Sequence, residues 1–271
     1  VLHEVCGYDC CSTCTSSSNF QFARVEVNNV VSSKNYINYS SIVRCVNDKS
    51  STYNMLGLHN GKICCSSVNI SMNSFKSFSG ITCWHSSSSN SLTCLLTYSS
   101  FSDNHATVYN CFWLNTGGAK YEIKSCNILR NTQVSNSYGT IWTEANLMIE
   151  DSCILENNAS YVFYQSSSSY AITISNCTVD RTSNYGSFNI QNTITKSFIL
   201  ALNHMSTQNC HSGYDSVGAL TPITPFSYSS KKQIHLCTCG KFLYHPRLTD
   251  TFTLTFVFIF NFIHVDTSNY H

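Results

Sequence analysis

The stretch from Tyr121 to Thr182 contains YEIKSCNILRN (121–131), LMIEDSCILEN (147–157) and ITISNCTVDRT (172–182), three versions of one phrase. Aligned, they put Ile123, Cys126, Ile128 and Asn131 over Ile149, Ser152, Ile154 and Asn157, and over Ile174, Cys177, Val179 and Thr182. The shared pattern is an aliphatic residue, two further residues, a small Cys or Ser, one residue, an aliphatic residue, two more, then Asn or Thr. A fixed self-similarity outranks local helix or strand propensities, because it describes a unit that buries its apolar face against its own copies.

Extended in both directions, the phrase gives Leu96, Ser99, Phe101, Asn104; Cys65, Val68, Ile70, Asn73; a weaker Val25, Asn28, Val30, Ser33; and Leu200, Asn203, Met205, Gln208. The second anchor falls at 30, 70, 101, 128, 154, 179 and 205, at intervals of 40, 31, 27, 26, 25 and 26. Apolar and polar residues alternate within each copy, the period of a strand. The three-residue step from Ile174 to Cys177 interrupts that alternation and marks a corner. A second apolar run follows each phrase: GTIW at 139–142, YVFY at 161–164 and SFNI at 187–190. Short strands repeated without a helical segment predict an all-β fold, a right-handed parallel β-helix of about seven coils with an irregular C-terminal tail. Ile128, Ile154, Val179 and Met205 are expected in one internal row, with Asn131 and Asn157 stacked at a turn and sharing amide hydrogen bonds.

The expected organisation is a Cys-rich segment or cap at 1–21, the β-helix at 22–215 and an irregular tail at 216–271. Pro222, Pro225 and Pro246 all lie in that tail. The interval of 40 places a loop at 46–53, and the serine runs at 86–89 and 166–169 read as turns bulging from a coil. The apolar run 251–265 is shorter than the ~20 residues of a membrane helix. Three readings stay open for it: a terminal strand or cap over the last coil, a truncated membrane anchor, or an artefact of translation.

Of 271 residues only 11% are charged, and the net charge is +1. That balance gives no electrostatic footprint for nucleic acid. No initiating Met, basic n-region or apolar h-region occurs at the start, which reads as a mature chain or a fragment. Sixteen cysteines are too few for a small disulfide scaffold. Cys6, Cys10, Cys11 and Cys14 cluster without zinc-finger spacing, leaving disulfides, free thiols or zinc open. Cys126 and Cys177 occupy the small inward position, where a thiol packs as a small hydrophobe.

The combination of this phrase with a period near 26 resembles the right-handed parallel β-helix proteins of the pectin-lyase-like superfamily. More narrowly, it resembles Ser/Asn/Cys-rich β-helix surface proteins of parasitic protists. The resemblance covers residues 22–210 and implies the fold, but no single activity, since this architecture hosts lyases, hydrolases, adhesins and tailspikes. Polysaccharide hydrolases on this fold use paired carboxylates, and lyases use an Asp cluster for calcium with a basic proton acceptor. Here Asp103, Asp151, Asp180, Glu122, Glu144, Glu150 and Glu156 show no paired signature. Glu150 and Asp151 are expected on opposite faces of a strand, and Glu156, Asp180 and Arg181 on neighbouring turns. His85, His105, His204 and His211 show no metal-site spacing, so no catalytic residue, metal ligand or cofactor is assigned.

The expectation is a non-enzymatic extracellular or cell-surface repeat protein for adhesion or glycan contact. Its partner is a glycan or a host surface, with membrane association open through 251–265. The alternative is a pectin-lyase-like carbohydrate-active enzyme. Trp113, Trp142, Tyr161 and Tyr164 are the candidate glycan-contact aromatics, with core packing the competing reading for Trp142. Asn38, Asn69, Asn158 and Asn176 head glycosylation sequons, which bear on location only if the chain is secreted.

Overall fold

The computed structural model describes residues 2–3, 5–8, 22–30, 32–47, 54–85, 93–107, 111–115, 119–134, 138–193, 233–236 and 240–243. Among these there is no helix, and almost every strand pairs in parallel with the one a coil away. The fold is an all-β parallel β-solenoid of about five turns.

Each coil visits three sheets. The first carries the repeat phrase, as one strand in Lys34–Val43 and Lys62–Ser71, and as two pieces from then on: Thr93–Thr97 with Ser100–Ser102, Lys120–Lys124 with Asn127–Leu129, Asn146–Glu150 with Cys153–Leu155, and Ile172–Ser175 with Thr178–Val179. The second sheet is a short ladder of Val46–Asn47, Ser74–Phe75, His105–Ala106 and Thr132–Gln133. The third runs through Ala23–Glu26, Asn54–His59, Phe78–Trp84, Phe112–Asn115, Gly139–Thr143, Tyr161–Gln165 and Asn184–Tyr185.

Inward residues stack in rows. Ile42, Ile70, Phe101, Ile128, Ile154 and Val179 are register partners in sequence, all buried. Cys65, Leu96, Ile123, Ile149 and Ile174 form a second row. Burial of each such side chain contributes ~1.5–3 kcal/mol. Met205 lies outside the described residues.

Two corners per coil bend the first sheet, and each needs a residue with positive φ. Tyr39, Ser67, Tyr98, Ser125, Asp151 and Asn176 serve the first corner; Arg44, Met72, Asp103, Arg130 and Glu156 serve the second, at φ from 49 to 58°. The left-handed conformation costs about 1–2 kcal/mol at a non-glycine residue. Side-chain ladders one residue beyond each corner offset it. At the first, Ser40, Ser99 and Ser152 accept the N–H of Val5, Val68 and Cys126 at 3.1 Å. Each hydroxyl also donates to the carbonyl two residues back. Cys126 and Cys177 fill the alternate coils, their thiols donating to Lys124 O and Ser175 O. Burial pushes the Cys126 thiol up to about 12, so it stays protonated. Cys45, Cys64, Cys65, Cys83, Cys94, Cys111, Cys126, Cys153 and Cys177 form no disulfide.

At the second corner stand Asn73, Asn104, Asn131 and Asn157. Each Nδ2 donates back to the preceding coil, to Ile42 O, Ile70 O, Phe101 O and Ile128 O, at 2.8–3.0 Å. The first three also donate forward to the next Asn Oδ1 at 3.0 Å. That same oxygen accepts the backbone N–H of the preceding Asn at 3.1 Å. The expected sharing of amide hydrogen bonds between Asn131 and Asn157 is present.

Several expectations change. The weak copy at Val25–Ser33 is no copy: Val25 pairs with Leu58 in the third sheet, and Val30 is 53% exposed. The first phrase is Ile37, Ser40, Ile42, Cys45, with Cys45 in the Asn position and its N–H bonded to Asn73 Oδ1. The interval of 40 therefore becomes 28, from Ile42 to Ile70. Of the loop expected at 46–53, Val46–Asn47 is a strand; 48–53 lie outside the described residues. The serines at 166–169 form a turn, while 86–89 lie outside. SFNI does not follow GTIW and YVFY in the third sheet. Phe188–Gln191 pairs with Ile172–Ser175 in the first sheet, and Asn184–Tyr185 takes the third-sheet place. Thr182 is exposed, so the Asn ladder ends at Asn157. The copy at 200–208 lies outside the described residues, which leaves about five turns rather than seven.

In the tail, Gln233–Leu236 and Gly240–Leu243 form an antiparallel hairpin, and the latter pairs with Cys6–Tyr8. Cys6–Tyr8 in turn lies parallel to Lys34–Val43, so the hairpin sits on the N-terminal edge of the first sheet. The run 251–265 lies outside the described residues; among these no helix is long and apolar enough to cross a membrane.

Candidate functional site

Along three consecutive strands of the third sheet inward and outward residues alternate. Leu56 and Leu58, Ile81 and Cys83, Phe112 and Leu114 point inward and are buried. Their neighbours point outward and fall into register as Arg24, Gly57, Thr82, Trp113, Trp142, Tyr164 and Tyr185. At ~4.8 Å per coil this row is roughly 29 Å long. Its second half is entirely aromatic.

The rings touch in two groups along the row. Phe78 stacks on Trp113 (centroids 4.9 Å, 12°), Trp113 meets Trp142 edge-on at 5.6 Å, and Tyr164 stacks on Tyr185 at 4.6 Å and 11°. Tyr161 and Tyr138 lean on Tyr164, and Tyr161 also meets Tyr185. Such pairs contribute ~0.5–1.5 kcal/mol each beyond burial, so part of the row's value is cohesion between coils. Trp113, Trp142, Tyr161 and Tyr164 are nevertheless only half-buried, and Tyr185 is 50% exposed. Burial, and then the neighbouring Tyr185, Tyr138 and Tyr161, raise the Tyr164 phenol above its ordinary value, so it remains a neutral hydroxyl. Close passage of Tyr164 requires Gly139: a Cβ there would come within 2.8 Å of the Tyr164 Cβ. The structure thus gathers all four candidate aromatics on one flank, and Trp142 is not a core residue. Phe78, Tyr138 and Tyr185 join them.

A second set of outward residues runs beside the row: Glu26, His59, Trp84 and Asn115. Glu26 receives Arg24 Nη2 at 2.7 Å. The His59 ring meets Trp84 edge-on at 5.2 Å. Burial and then the Arg24 charge hold His59 down to about 4, against the opposing pull of Glu26. No reading of the sequence singled out this polar end.

The remaining charges staple coils together. Arg130 holds Asp103 through two bonds of 2.7 and 2.9 Å. Lys124 lies 3.5 Å from Glu150 and 3.7 Å from Asp151. The expectation that these two carboxylates face opposite ways fails because Asp151 is the positive-φ corner residue, which makes two consecutive positions outward. Asp180 accepts the Glu156 N–H, and Arg181 donates to Asn157 O and Ala159 O, so that trio is adjacent and caps backbone. His85 is buried, between Gly61 O at 2.8 Å and the Tyr121 hydroxyl at 3.2 Å. His105 lies in the second sheet; His204 and His211 fall outside the described residues. Among the described residues no group of three or more His, Cys, Asp or Glu is placed to hold a metal ion.

Of the sequon asparagines, Asn158 and Asn176 are exposed, although Asn176 Nδ2 donates to Asp151 at 2.6 Å. Asn38 is half-buried. Asn69 is buried, bonded to Ser41 and Ser71, and a sugar there would displace both. The chain matches no protein-family model, no curated protein and no solved structure.

Proposed function

We propose that the chain is a non-enzymatic β-solenoid that contacts glycans through its third sheet, at a cell surface or outside the cell. The observation that carries this reading is the outward row Trp113–Trp142–Tyr164–Tyr185, unbroken over four coils. Aromatic rings at one-strand spacing offer apolar faces and edges to the C–H faces of successive pyranoses, whose advance along a glycan is comparable to the coil rise. Tyrosine hydroxyls and the neighbouring Asn115 supply hydrogen-bond partners. The resemblance to pectin-lyase-like proteins and to protist surface proteins rests on the repeat phrase alone and adds only compatibility. The carbohydrate-active-enzyme alternative is disfavoured by the carboxylates described: Glu26, Asp103, Glu150, Asp151 and Asp180 all engage basic groups, amides or backbone.

Binding of the purified chain to a printed array of neutral, uronate and sulfated oligosaccharides tests this directly. Trp142→Ala should weaken any captured glycan at least about tenfold, the loss expected when an aromatic anchor is truncated. Unfolding by urea should stay cooperative, because Trp142 lies outside the core. An array on which nothing binds, or binding indifferent to Trp142→Ala and Tyr164→Ala together, ends the proposal. Turnover of a polyuronide would install the enzyme reading instead.

A further inference from the structure

Sequons mark Asn38, Asn69, Asn158 and Asn176, and the fold treats the four differently. An N-linked sugar needs room at two places: the Asn amide that carries it, and the Ser or Thr hydroxyl two residues on. Asn38 is half-buried with its Oδ1 sealed from solvent. Its Ser40 is buried in the first-corner ladder, accepting the Val5 N–H and donating to Asn38 O. Asn69 and Ser71 are both buried, the hydroxyl donating to Asn69 Oδ1. Asn176 is exposed, but it is a positive-φ corner residue, its amide donates to Asp151 at 2.6 Å, and Thr178 is buried. Only at Asn158 are the amide residue and its hydroxyl residue, Ser160, both exposed.

The end of the second sheet explains the difference. Asn158 bridges Thr132 in parallel, its N–H donating to Asn131 O and its carbonyl accepting the Gln133 N–H, both at 2.8 Å. Ala106, Gln133 and Ala159 are buried, so His105, Thr132 and Asn158 point outward by alternation. Arg181 fixes the flanking carbonyls of Asn157 and Ala159. The backbone of Asn158 is thus held, while its side-chain amide makes no hydrogen bond among the described residues. A sugar on Nδ2 there displaces no bond of either ladder. We propose that Asn158 is the N-glycosylation site of this chain, and that Asn38, Asn69 and Asn176 stay unmodified in the folded protein. The assignment rests on the extracellular location proposed above, not on glycan contact. The step joins Asn158 Nδ2 to the anomeric carbon of a polyprenyl-diphosphate-linked oligosaccharide. The new C–N bond replaces the C–O bond to the diphosphate, which leaves with the electron pair, and the amide gives up one proton. Attachment precedes the stacking of the coils, so the fold selects afterwards, by keeping chains whose sugar it can hold outside.

Two preparations of the full chain test this. Fused to a secretion signal in cultured eukaryotic cells, the chain recovered from the medium should carry a single N-glycan, absent from Asn158→Gln. Peptide-N-glycosidase in water labelled with heavy oxygen should leave its aspartate label at position 158 alone. The second preparation is the folded chain made in bacteria, treated with a soluble N-glucosyltransferase and UDP-glucose. It should gain hexose at Asn158 at least about tenfold faster than at Asn38, Asn69 or Asn176, whose sequons react only through local opening. Peptides cut from the same chain should lose that preference, and the glucosylated protein should unfold at the same temperature as the bare one. Asn158 left bare in either preparation, or another sequon modified as readily in the folded chain, overturns the assignment. Should no chain reach the medium, the second preparation decides alone. An array on which nothing binds, beside an occupied Asn158, would end only the glycan-contact reading. A bare Asn158 beside binding that depends on Trp142 would end only this one.

Discussion

Asn131→Leu should lower the unfolding free energy by about 3–5 kcal/mol, a large share of the 5–15 kcal/mol typical of a domain. The estimate follows from the ladder. Removing the amide leaves the Asn104 N–H and one Asn104 Nδ2–H without their acceptor, and the Phe101 carbonyl without its donor. All three groups lie where water does not reach: Asn104 and Phe101 are essentially unexposed. Each then forfeits its desolvation cost, and a polarised chain of amides amplifies the loss. Asn131→Asp is no rescue, because a carboxylate cannot donate to Phe101 O and would lie against Asn157 Oδ1. Asn184→Ala, exposed and outside the ladder, should change stability by less than ~0.5 kcal/mol. Asn104→Leu combined with Asn131→Leu should cost less than the two losses added, since they share bonds. Urea unfolding decides the matter; a loss below about 1 kcal/mol for Asn131→Leu would mean the ladder is ornamental.

Phe101→Ala should cost a comparable ~3–5 kcal/mol, by a different route. The ring is fully buried between Ile70 and Ile128 in the axial row and reaches across the coil to Phe112 at 4.5 Å. Both neighbours are tied to their own strands by parallel ladders, so the walls relax little around the gap. Phe101→Leu keeps most of the volume and should lose about half as much or less. In contrast with Asn131→Leu, no polar group is orphaned, and small apolar solutes such as benzene should partly restore the alanine variant. Similar stability for the Phe101→Ala and Phe101→Leu chains would place the ring outside the core.

What the amino-acid sequence displays of this fold depends on how much each coil keeps constant. From Phe101 to Val179 the phrase recurs at 25–27 residues, and the inward rows and Asn ladder follow from it. Before Asn73 the signal degrades, because Cys45 stands in the Asn position and Val25 imitates an anchor from another sheet. The phrase at Ile37–Cys45 was visible only as alternation. The aromatic row was legible as a set of residues but not as a row. Trp113, Trp142 and Tyr164 follow their ladder asparagines by nine, eleven and seven residues, so turns of unequal length conceal their common register. The polar end at Arg24, His59 and Trp84 lies on three different coils and left no linear trace. Corner geometry is equally silent: Tyr39, Arg130 and Glu156 are not residues that favour positive φ, and the ladders beyond them impose it.

The Asn ladder also limits how such a chain can change length over generations. Every coil hands the next the same donors and acceptors that it received, 26 residues apart at Asn131 and Asn157. Excising 131–156 would join Arg130 to Asn157 and leave a positive-φ corner followed by a ladder amide, with both neighbours still correctly presented. Losing one residue inside Asn146–Glu150 would instead exchange the inner and outer faces of everything up to the next corner. Growth and shrinkage are therefore quantised: whole turns can be gained or dropped as interchangeable modules, while single-residue slips are purged.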